Sequence, residues 1–591
     1  MSKRYPAGNS TFTYPVGDAN YYTPVTASVY NAAPPCTLEV QTFAGDHPNF
    51  ATSGLNSIKS VNRYWTIDDG NSGGFDSFDF TFNFDAADVD GGANTSNFTI
   101  SKFDSPSTWS PLIASGQTAT SITTTNITSF SDFQIGEPCT PTNEYRSAVG
   151  IGGWNTPGTW ETYNGCAWVP ASVAPDGTNS STITIRNGFN VTNNSQNIQG
   201  DEIIIEAGAT LFVAEGDLTV LDGTGDDLII NGTLQMNGGT TIAINVKVAV
   251  ANGSIDCISL DTFGGPAILE ITANGSMNIF TNGDSFTLNG GVVVNNFGEI
   301  SWNGPGGDFI MEDAAVINNS NIFTVETNNS IVSTTSGTIN NLVGGTFTKS
   351  NTTTTVIEAN IAWTNTGTLV IEAGTFTLTS GSGTSQGTID VNAGATLEGS
   401  YLVYSGNSFI NNGIVNLSGL ELFAVGMNVS GTGSIANLIM NNNDGAGIVG
   451  QQTITNTLDL QVGEIFANGT NKLILEDDVV ISNASSLSYI VGNLEWDIQT
   501  PGSKVFPIGD VDFYAPITLG PSFTVGGSVS ARTVVGDNSG IDNSGIKNNK
   551  SVNRTWSITN ESLTFSECDI DFNWPTSDVD VTPISISLVL H

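Results

Sequence analysis

The sequence predicts an all-β protein in which a parallel β-helix, a solenoid of about 22-residue coils, is flanked by β-sandwich modules. Three observations lead to this fold class. Short runs of β-branched and aromatic residues separated by Gly and Asn fill the chain, whereas helix-forming runs rich in Ala, Glu, Lys and Leu are almost absent. A small turn motif recurs through the middle of the chain, and one long segment occurs near both ends.

The segment that occurs twice sets the organisation of the chain. YPVGDANYYTPVT is matched by FPIGDVDFYAPIT, and SVNRYWTI by SVNRTWSI, at a nearly constant offset of roughly 490 residues. The matching pairs are 14–26 with 506–518, 60–67 with 551–558, and 82–90 with 572–580. Because duplication over a long period is typical of arrays of modules, we expect this chain to be a window from a longer repeat protein, with a second copy shorter than the first.

Four segments follow from the patterns along the chain. Residues 78–84 alternate aromatic and polar side chains, which is the period-two pattern of a half-buried strand, and turn-rich stretches separate such runs. The predicted segments are a β-sandwich at 1–136, a Trp-rich connector and cap at 137–200, a parallel β-helix at 201–488, and a second, truncated β-sandwich at 489–591.

The predicted β-helix depends on a turn motif that recurs once per coil. Apolar strands follow small turns, as in GATLFV, NGTLQM, NGSIDC and NGSMNI, and the glycines of these turns are spaced by roughly 21 to 24 residues. The glycines are Gly208, Gly232, Gly253, Gly275, Gly298, Gly367, Gly387 and Gly413. We expect them at corners with positive φ, in roughly 13 coils that form a rod roughly 60 Å long. A meander of antiparallel hairpins is the alternative.

The charge of the chain excludes two classes of partner. Lys and Arg total 15 against 56 Asp and Glu, which gives a formal net charge of −41. A surface this acidic repels the phosphates of nucleic acids and anionic membrane surfaces. No stretch is long and apolar enough to span a bilayer, and Met1 begins no signal peptide, so neither nucleic acid binding nor membrane insertion is expected. The acidity has two interpretations, a solubilising coat on an extracellular protein or calcium binding.

The five cysteines match neither a disulfide framework nor a CxxC metal site. Cys139 and Cys166 flank part of the Trp-rich connector, and for this pair a disulfide and two free thiols are both open alternatives. Cys36, Cys257 and Cys568 are expected to fill core positions as small apolar groups.

Carboxylates in the first sandwich are candidate calcium ligands. Asp85, Asp88 and Asp90 lie in DAADVDGG, an oxygen-rich run followed by two glycines, as calcium loops often are. An ordinary acidic turn is the alternative. The second copy keeps two of the carboxylates but has Pro575 in place of Asp85, so a calcium site would have to tolerate that loss. No other metal or cofactor is expected.

Two arginines are expected to hold the sandwich modules together. Arg is rare in this chain, yet Arg63 and Arg554 stand at matching positions of the two copies. We expect each arginine to pair with a carboxylate, and we expect Asn62 and Trp65 to belong to the same core.

Basic catalytic side chains are scarce where a β-helix enzyme would carry them. Lyases acting on uronic acids need a Lys or Arg base, and pectin-type hydrolases pair their carboxylates with a basic residue. Residues 200–490 contain no His, no Arg and only Lys247, Lys349 and Lys472. Both histidines, His47 and His591, lie outside this range. Catalysis on anionic sugars is therefore excluded from our expectations.

Paired carboxylates, which a glycosidase needs, do occur in the predicted β-helix. They stand at 226–227, 312–313 and 476–478. Neighbouring residues of a strand point to opposite faces, and neighbouring residues of a turn usually face solvent, so we interpret these carboxylates as solvated turns. The sequence predicts that this chain is not an enzyme.

Several motifs together resemble modules of large secreted and surface proteins of Bacteroidetes that are exported by the type IX system. FPIGDVDFYAPIT followed by SVNRTWSI is similar to their sandwich modules, and ITSFSDFQIG at 127–136 resembles the end of such a sandwich. WNTPGTWETYNGCAWVPASVAPDG resembles the cap that opens their β-helices. Members of this family include gliding and attachment adhesins, structural stalks, and β-helices fused to enzymes. Their C-terminal sorting domain does not occur in this sequence, which agrees with the expectation of a window from a longer protein.

The resemblance and the scarcity of catalytic side chains lead to one expected function. The chain is expected to be a non-enzymatic structural or adhesive segment of a giant extracellular repeat protein, acting as a stiff surface stalk or adhesin portion. Its expected partners are cell-surface or environmental glycans or neighbouring modules of the same protein, and its expected location is extracellular or at the cell surface. The alternative is a non-catalytic binding or accessory part of a secreted polysaccharide-processing enzyme.

Overall fold

Strands account for 57% of the chain and helices for 3%, so the predicted all-β class is confirmed. The computed structural model describes residues 1–70, 74–194, 196–223, 225–237, 241–244, 247–258, 261–379, 383–406 and 408–580. These residues divide into two units. Unit 1 comprises Met1–Ala148, Trp160–Ala174 and Asn179–Ser181, and unit 2 comprises Val149–Thr159, Pro175–Thr178 and the described residues from Thr182 onward.

Unit 1 contains the first sandwich. Its strands are β1 (Ser2–Tyr5), β2 (Gly8–Tyr14), β3 (Val25–Ala32), β4 (Cys36–Ala44), β5 (Leu55–Asp68), β6 (Ser77–Asn83), β7 (Thr99–Asp104), β8 (Thr108–Leu112), β9 (Ala114–Ser115), β10 (Ser121–Ile127) and β11 (Asp132–Pro138). Single 3₁₀ turns lie at Phe50–Thr52, Ala86–Asp88 and Thr95–Asn97. One antiparallel sheet has the order β1-β4-β5-β11-β7-β8, and the other has the order β2-β3-β6-β10-β9.

The core between these two sheets is aromatic, because period-two alternation directs one face of each strand inward. Phe78, Phe80 and Phe82 of β6 are fully buried. The ring of Phe82 lies 5.2 Å from those of both Trp65 on β5 and Phe133 on β11. Burial of each such side chain contributes about 1.5–3 kcal/mol. The segment from β10 to β11, which we call the β10–β11 arch, crosses from one sheet to the other and adds a strand to both.

The connector after the first sandwich contributes to both units. In unit 1, β12 (Glu144–Ser147), β14 (Trp160–Tyr163) and β15 (Trp168–Pro170) pair as antiparallel neighbours in the order β12-β14-β15. In unit 2, β13 (Ile151–Gly153) is followed by a 3₁₀ turn at Pro157–Thr159, and it pairs in parallel with the first complete coil of the solenoid.

Two of the three cysteines that were expected in core positions are buried, and the other two cysteines form a disulfide. Cys139 and Cys166 form a disulfide within unit 1 that closes a loop with a sequence separation of 27, which settles the alternative that the sequence left open. Cys36 and Cys257 are buried, as expected for small apolar groups. Cys568 is only partly buried, so its expected core position is wrong; it lies on a strand of the second sandwich whose inner face is partly uncovered.

Unit 2 is dominated by the solenoid. Its strands are β16 (Thr182–Ile185), β17 (Asn190–Asn194), β18 (Ile198–Gly200), β19 (Glu202–Ile205), β20 (Thr210–Glu215), β21 (Leu218–Val220), β22 (Leu228–Ile230), β23 (Thr233–Asn237), β24 (Thr241–Ile244), β25 (Lys247–Val250), β26 (Ser254–Ile258), β27 (Thr262–Gly264), β28 (Ile268–Ile271), β29 (Ser276–Asn282), β30 (Phe286–Leu288), β31 (Val293–Asn296), β32 (Glu299–Gly306), β33 (Phe309–Met311), β34 (Ala315–Asn319), β35 (Ile322–Val325), β36 (Ile331–Val332), β37 (Gly337–Asn341), β38 (Thr346–Lys349), β39 (Thr354–Ile357), β40 (Ile361–Asn365), β41 (Thr368–Ile371), β42 (Thr375–Leu378), β43 (Gly383–Ser385), β44 (Thr388–Val391), β45 (Thr396–Gly399), β46 (Leu402–Tyr404), β47 (Ser408–Asn411), β48 (Ile414–Leu417), β49 (Leu420–Leu422), β50 (Asn428–Gly431), β51 (Ser434–Asn441), β52 (Ala446–Val462), β53 (Ile465–Ala467), β54 (Lys472–Leu475), β55 (Val480–Ser482), β56 (Ile490–Gly492) and β57 (Leu494–Ile498).

Each strand from β16 to β48 pairs in parallel with the strand three places later, so one coil contains three strands and the coils stack into three parallel sheets. The stacking is in register: Ile203 pairs with Ile183 in the coil before it and with Leu228 in the coil after it. The solenoid has about 15 turns of about 21 residues. At about 4.8 Å per turn it is about 70 Å long. The predicted parallel β-helix is therefore confirmed, and the antiparallel meander is wrong.

The glycines of the repeated turns are needed mainly because successive coils approach each other closely there. Gly208 has a positive φ of 77°, as expected for a corner. Gly253, Gly367 and Gly387 do not have positive φ; a Cβ atom there would overlap a carbonyl oxygen of the preceding coil. Close stacking of one coil on the next therefore requires glycine at this corner, and the expectation that these glycines serve positive φ is wrong for most of them.

The second copy of the sandwich lies in unit 2. Its strands are β58 (Lys504–Phe506), β59 (Ile508–Gly509), β60 (Ile517–Val525), β61 (Gly527–Val535), β62 (Arg554–Asn560) and β63 (Thr564–Phe572), with 3₁₀ turns at Ile541–Asn543 and Thr576–Asp578. β57 joins it to the solenoid, because β57 pairs in parallel with β54 of the solenoid and antiparallel with β61 of the sandwich. One strand thus belongs to both folds.

Coil pairing starts earlier in the chain than the predicted limit of the β-helix. β13 and β16 already stack in parallel on later coils, although both precede residue 201. At the other end, β57 continues the solenoid beyond residue 488. The four segments drawn from the sequence remain predictions of module limits, and the two compact units are a different division of the same chain.

Candidate functional sites

The first arginine cluster consists of Arg63, Asp18, Asp88 and Thr42. Arg63 points inward from β5, and its side chain has no exposed surface. The guanidinium donates from Nε to Asp88 at 2.7 Å and from Nη2 to Asp18 at 2.6 Å. Nη1 donates to the Thr42 hydroxyl at 3.2 Å. A charge buried this deeply is tolerated only when its hydrogen-bonding groups are paired in this way.

The charges of this cluster stabilise each other. Burial lowers the pKa of Arg63, but hydrogen bonds to Asp88 and Asp18 more than offset this effect and raise the pKa above its ordinary value. Arg63 in turn lowers the pKa of Asp18 to about 2, helped by the backbone N–H groups of Asn20 and Tyr21. Arg63 and Asp18 therefore stay ionised at ordinary pH, and the cluster joins four separate segments of the sandwich.

The second arginine cluster repeats this arrangement in the second copy. Nε of Arg554 lies 2.6 Å from Asp578, and Nη1 lies 2.6 Å from Asp510. Asp510 accepts from the backbone N–H groups of Asp512 and Phe513 at 2.9 Å, as Asp18 accepts from its own loop. The predicted pairing of both arginines with carboxylates is confirmed.

Two of the calcium candidates already have structural partners around a 3₁₀ turn. Asp88 belongs to the first arginine cluster, and Asp85 caps the turn by accepting from the backbone N–H of Ala87 at 2.9 Å. Pro575 precedes the equivalent turn of the second copy, Thr576–Asp578, which forms without a side-chain cap. The replacement of Asp85 by Pro575 therefore removes one cap and leaves the turn in place.

The third calcium candidate, Asp90, ties the end of this turn to β5. It accepts from the backbone N–H of Ser60 at 2.9 Å and from the amide of Asn62 at 2.7 Å. Asp580 repeats these contacts in the second copy, with the backbone N–H of Ser551 at 3.0 Å. Asn62 is only half-buried, so its expected place in the core is wrong, whereas Trp65 is fully buried as expected.

Across the part of the chain that the structure describes, no group of three or more His, Cys, Asp or Glu side chains is placed to hold a metal ion. The contacts of Asp85, Asp88 and Asp90 account for these residues as parts of a turn and an ion-pair cluster. Calcium binding by the three carboxylates stays a prediction.

A stack of buried amides, which we call the asparagine ladder, runs through the middle of the solenoid. Asn296, Asn319, Asn341 and Asn365 occupy the last inward position of β31, β34, β37 and β40, and each is at most 1% exposed. Each Nδ2 donates to the side-chain oxygen in the next coil, at 2.7, 2.8 and 2.7 Å in turn. Buried amides need such partners, because an unpaired polar group in an apolar core is strongly destabilising.

Residues other than asparagine occupy the same register position in the coils before and after the ladder. Ile271 precedes it, and Ser385 follows it by accepting from Asn365 at 3.0 Å. One coil further, Tyr404 is fully buried, and its hydroxyl donates to the carbonyl of Gly387 at 3.0 Å. The last polar group of this stack is therefore a hydroxyl that donates a hydrogen bond to a backbone carbonyl.

A shallow groove of about 300 Å³ lies at the corner that follows the ladder. Its lining residues are Gly344, Thr366, Gly367, Thr368, Gln386, Gly387, Thr388 and Ser408. Hydroxyl, amide and backbone groups of this kind form hydrogen bonds with hydroxyl-rich ligands. The lining contains no aromatic ring on which a sugar face could stack. The sequence reasoning did not identify this groove, because its residues come from four successive coils.

Two of the three lysines of the solenoid are paired with carboxylates. Lys247 lies 3.0 Å from Asp226, and Lys472 lies 2.5 Å from Glu495. These partners come from neighbouring coils, so the ion pairs run along the stacking direction. The more exposed pair, Lys247 with Asp226, contributes little to stability, about 0–1 kcal/mol. Both lysines serve as links between coils.

The third lysine, Lys349, is fully buried in the core of the solenoid. It takes a register position that Val325 fills in the coil before and Ile371 in the coil after. Its ammonium donates to the carbonyl of Asn351 at 2.6 Å and also to the side-chain oxygen of Asn351. Burial lowers the pKa of Lys349 to about 8.

The carboxylates that the sequence placed in solvated turns are held by hydrogen bonds. Glu312 accepts from the backbone N–H groups of Thr334 at 2.8 Å and Thr335 at 3.0 Å. The Thr335 hydroxyl is the main cause of a lowered pKa of Glu312. Asp227 is buried and accepts from the backbone N–H of Gly223 at 2.7 Å, so the expectation of a solvated turn is wrong there.

Comparisons with protein-family models, with curated proteins and with solved structures find no match to this chain. The fold therefore defines the class of protein, a parallel β-solenoid with β-sandwich modules, and the geometry of its sites is the basis for a function. Among the described residues, no helix has the length and apolar character needed to cross a bilayer.

Replacement of Asn341 by Ala is expected to lower the free energy of unfolding by about 2–4 kcal/mol, because it leaves the amide of Asn319 and the side-chain oxygen of Asn365 without their partners in the core. The matched control is Asn340→Ala, which removes an amide from the outer face of the same strand and is expected to lower stability by less than about 1 kcal/mol. Urea denaturation of the two variants measures the difference. Equal losses would contradict a special role for the ladder.

Lys349 is expected to make stability depend on pH. Its pKa is about 8 in the folded chain against an ordinary 10.5, so between these values the unfolded chain holds a proton that the folded chain has lost. The free energy of unfolding should therefore rise as pH increases from about 8 to about 10.5, by at most about 3 kcal/mol. Lys349→Met should abolish that rise.

Urea denaturation at several pH values across this window provides the measurement. The control is Lys472→Met, which also removes a lysine but keeps Lys349, and it should retain the rise with pH. If wild type and Lys349→Met respond to pH in the same way, the lysine is not held in a desolvated position.

Proposed function

We propose that this chain is a non-enzymatic structural segment of an extracellular repeat protein and that it acts as a stiff spacer. The solenoid is the observation that carries the proposal: about 15 turns, each joined to the next by backbone hydrogen bonds along three parallel sheets. Bending such a stack strains many hydrogen bonds together, whereas a chain of separate domains bends at its linkers.

The junction at β57 supports stiffness beyond the solenoid itself. Because β57 belongs both to the last coils and to the second sandwich, the chain passes from one fold to the other without a free linker. Lys472 of the solenoid also lies 4.0 Å from Glu561 in the second sandwich. A shared strand of this kind transmits force through backbone hydrogen bonds.

The environments of the basic side chains favour a non-catalytic role. Lys247 and Lys472 are held by carboxylates, and Lys349 is buried beyond the reach of a substrate. A polysaccharide lyase or hydrolase needs such groups free in an open cleft. The Cys139–Cys166 disulfide supports an extracellular location, because disulfides persist in oxidising compartments.

Contact with glycans is a second part of the proposal, and the polar groove beside the ladder is the observation that favours it. The groove offers hydroxyls and amides from successive coils but no aromatic platform. Sugar sites usually combine hydrogen bonds with apolar stacking, so weak contact repeated along a surface fits this groove better than one tight site. The same reasoning fits an adhesive spacer better than an accessory domain that selects one polysaccharide.

Stiffness is tested by the distance between spin labels on two stacked positions of one sheet. Thr210 and Thr388 lie on the same outward column, eight coil steps apart. At about 4.8 Å per step, pulsed electron–electron double resonance should give a narrow distribution of distances between the two labels, centred at about 38 Å. A broad distribution, or a mean far from this value, would contradict a rigid spacer.

The absence of catalysis is tested separately on the same protein. Incubation with neutral and uronic-acid polysaccharides is expected to release neither reducing ends nor unsaturated products, because the basic groups of the solenoid are engaged or buried. Release that continues with time and scales with protein concentration would overturn the non-enzymatic part of the proposal, whatever the spin labels show.

A further inference from the structure

The outer face of the first sandwich carries a cluster of aromatic rings that lie outside its core. Strand alternation turns Phe43 on β4, Tyr64 on β5 and Phe103 on β7 away from the core. Trp109 on β8 stands opposite Phe103. His47, from the segment between β4 and β5, folds over the same face and contacts three of these rings. We call these five residues the ring row.

The rings of the row contact one another from one end to the other. Phe43 and Tyr64 are nearly parallel, with centroids 4.9 Å apart. His47 lies 5.1 Å from Tyr64 and 5.0 Å from Trp109, edge to face with both. Phe43 is 39% exposed, and Tyr64 and Trp109 are partly exposed. Apolar ring surface therefore reaches solvent along the row.

Hydrogen bonds hold the ring row in place without a ligand. Nδ1 of His47 accepts from the backbone N–H of Asn49 at 3.1 Å, so Nε2 carries the hydrogen and donates to Asp132 at 3.0 Å. The indole Nε1 of Trp109 donates to the carbonyl of Asn49 at 2.9 Å. Rings that are fixed in this way lose little conformational entropy when a ligand packs on them.

Polar side chains lie beside the rings on the same face. Gln41, Thr66 and Asp132 are cross-strand neighbours on β4, β5 and β11. Gln41 is exposed, and the other two are partly exposed. An amide, a hydroxyl and a carboxylate together can donate to and accept from the hydroxyls of a ligand. Burial and, to a smaller extent, the charge of Asp132 raise the pKa of Tyr64, which shows that negative charge lies next to the rings.

The second copy of the sandwich lacks three members of the ring row. At these positions it has smaller, non-aromatic residues, which are Val534, Thr555 and Asn538 in place of Phe43, Tyr64 and His47. It nevertheless forms the matching strand pair, β61 with β62, and its own arginine cluster. This part of the fold therefore does not require the rings that the first copy carries.

We propose that the ring row binds a neutral glycan. Sugar rings pack their C–H faces on the exposed parts of Phe43, Tyr64 and Trp109, and the neighbouring polar side chains form hydrogen bonds with the sugar hydroxyls. An aromatic ring and a pyranose are of similar width, so the row accommodates a short run of sugar units. The carboxylate of Asp132 and the net charge of −41 disfavour glycans that carry carboxylate or sulfate groups.

This site shares no residue with the groove of the solenoid, and it does not depend on the chain acting as a spacer. The test titrates the 591-residue protein with cellohexaose, laminarihexaose, mannohexaose, xylohexaose and hexagalacturonic acid in isothermal titration calorimetry. At least one of the four neutral probes should bind at one site per chain, because the second copy lacks the row. It should bind at least about tenfold more tightly than hexagalacturonic acid.

The combined variant Phe43→Val/Tyr64→Thr places the binding in the ring row. It gives the first copy the residues that the second copy already carries, so the fold should be retained. The same probe should bind to it at least about tenfold more weakly. The matched control, Tyr22→Thr, removes a ring that is 67% exposed elsewhere on unit 1 and should bind like the wild type.

The melting temperature reports whether each variant folds. If the combined variant does not fold, Phe43→Val alone keeps the test, because it changes a side chain that is already exposed; it should weaken binding at least about threefold.

Four results would overturn the proposal. They are no binding of any neutral probe, equally tight binding of hexagalacturonic acid, unchanged binding by a folded Phe43→Val/Tyr64→Thr variant, and self-association of the wild type that this variant abolishes in sedimentation velocity. The third result would place the glycan elsewhere on the chain, and the fourth would make the ring row a contact between copies of this chain. The spin-label distances test the spacer separately from all four.

Discussion

The stacking of one coil on the next, in register and at the spacing of hydrogen-bonded strands, is the constraint on which the rest of the solenoid depends. Parallel pairing places every side chain directly against the residue at the same position one coil away. Whatever suits one coil must therefore suit its neighbours. A corner that approaches the previous carbonyl requires glycine there, as at Gly253 and Gly387. A buried amide requires a hydrogen-bond partner, which the neighbouring coil supplies between Asn319 and Asn341.

The asparagine ladder shows how stacking in register allows a polar residue to occupy a core position. A single Asn with apolar residues in both neighbouring coils would leave its amide unpaired, but four in succession satisfy one another, and Ser385 ends the series. Rings stack in the same coils, with Phe323 and Phe347 at 4.8 Å. Lys349 is the exception, since its neighbours in register are Val325 and Ile371, and it depends on its own coil for partners.

The two copies of the sandwich within one chain can be compared with each other. Both copies keep the arginine cluster, since Arg63 and Arg554 form equivalent ion pairs with two aspartates each. The aromatic burial differs, because Trp65 is fully buried while Trp556 is partly exposed. The ion pairs thus recur in both copies, and in the first copy the β10–β11 arch contributes Phe133 to the hydrophobic core.

Much of the architecture could be predicted from the sequence, because the same residue types recur at the length of one coil. The glycine spacing indicated coils of about 22 residues, close to the observed 21, and the alternation in β6 indicated a half-buried sheet. The asparagine ladder could not be predicted from the sequence, because an Asn in a run such as 293–296 looks like a turn residue until its partners one coil away are known. For the same reason the burial of Lys349 could not be predicted from the sequence. β57 was not recognised as a shared strand, since its two pairings depend on distant segments.

Deletion of one complete coil tests the central claim of stacking in register most directly. Removal of Thr346–Gly367, 22 residues, joins Gly345 to Thr368, which already stands one coil above Thr346. The shortened protein should keep the strand signal in circular dichroism and a cooperative melt. Removal of Thr346–Val356, half that length, should shift every later inward residue and disrupt the coils around the cut. If the complete-coil deletion disrupts the fold as much as the half-coil deletion, stacking in register is not what holds the solenoid together.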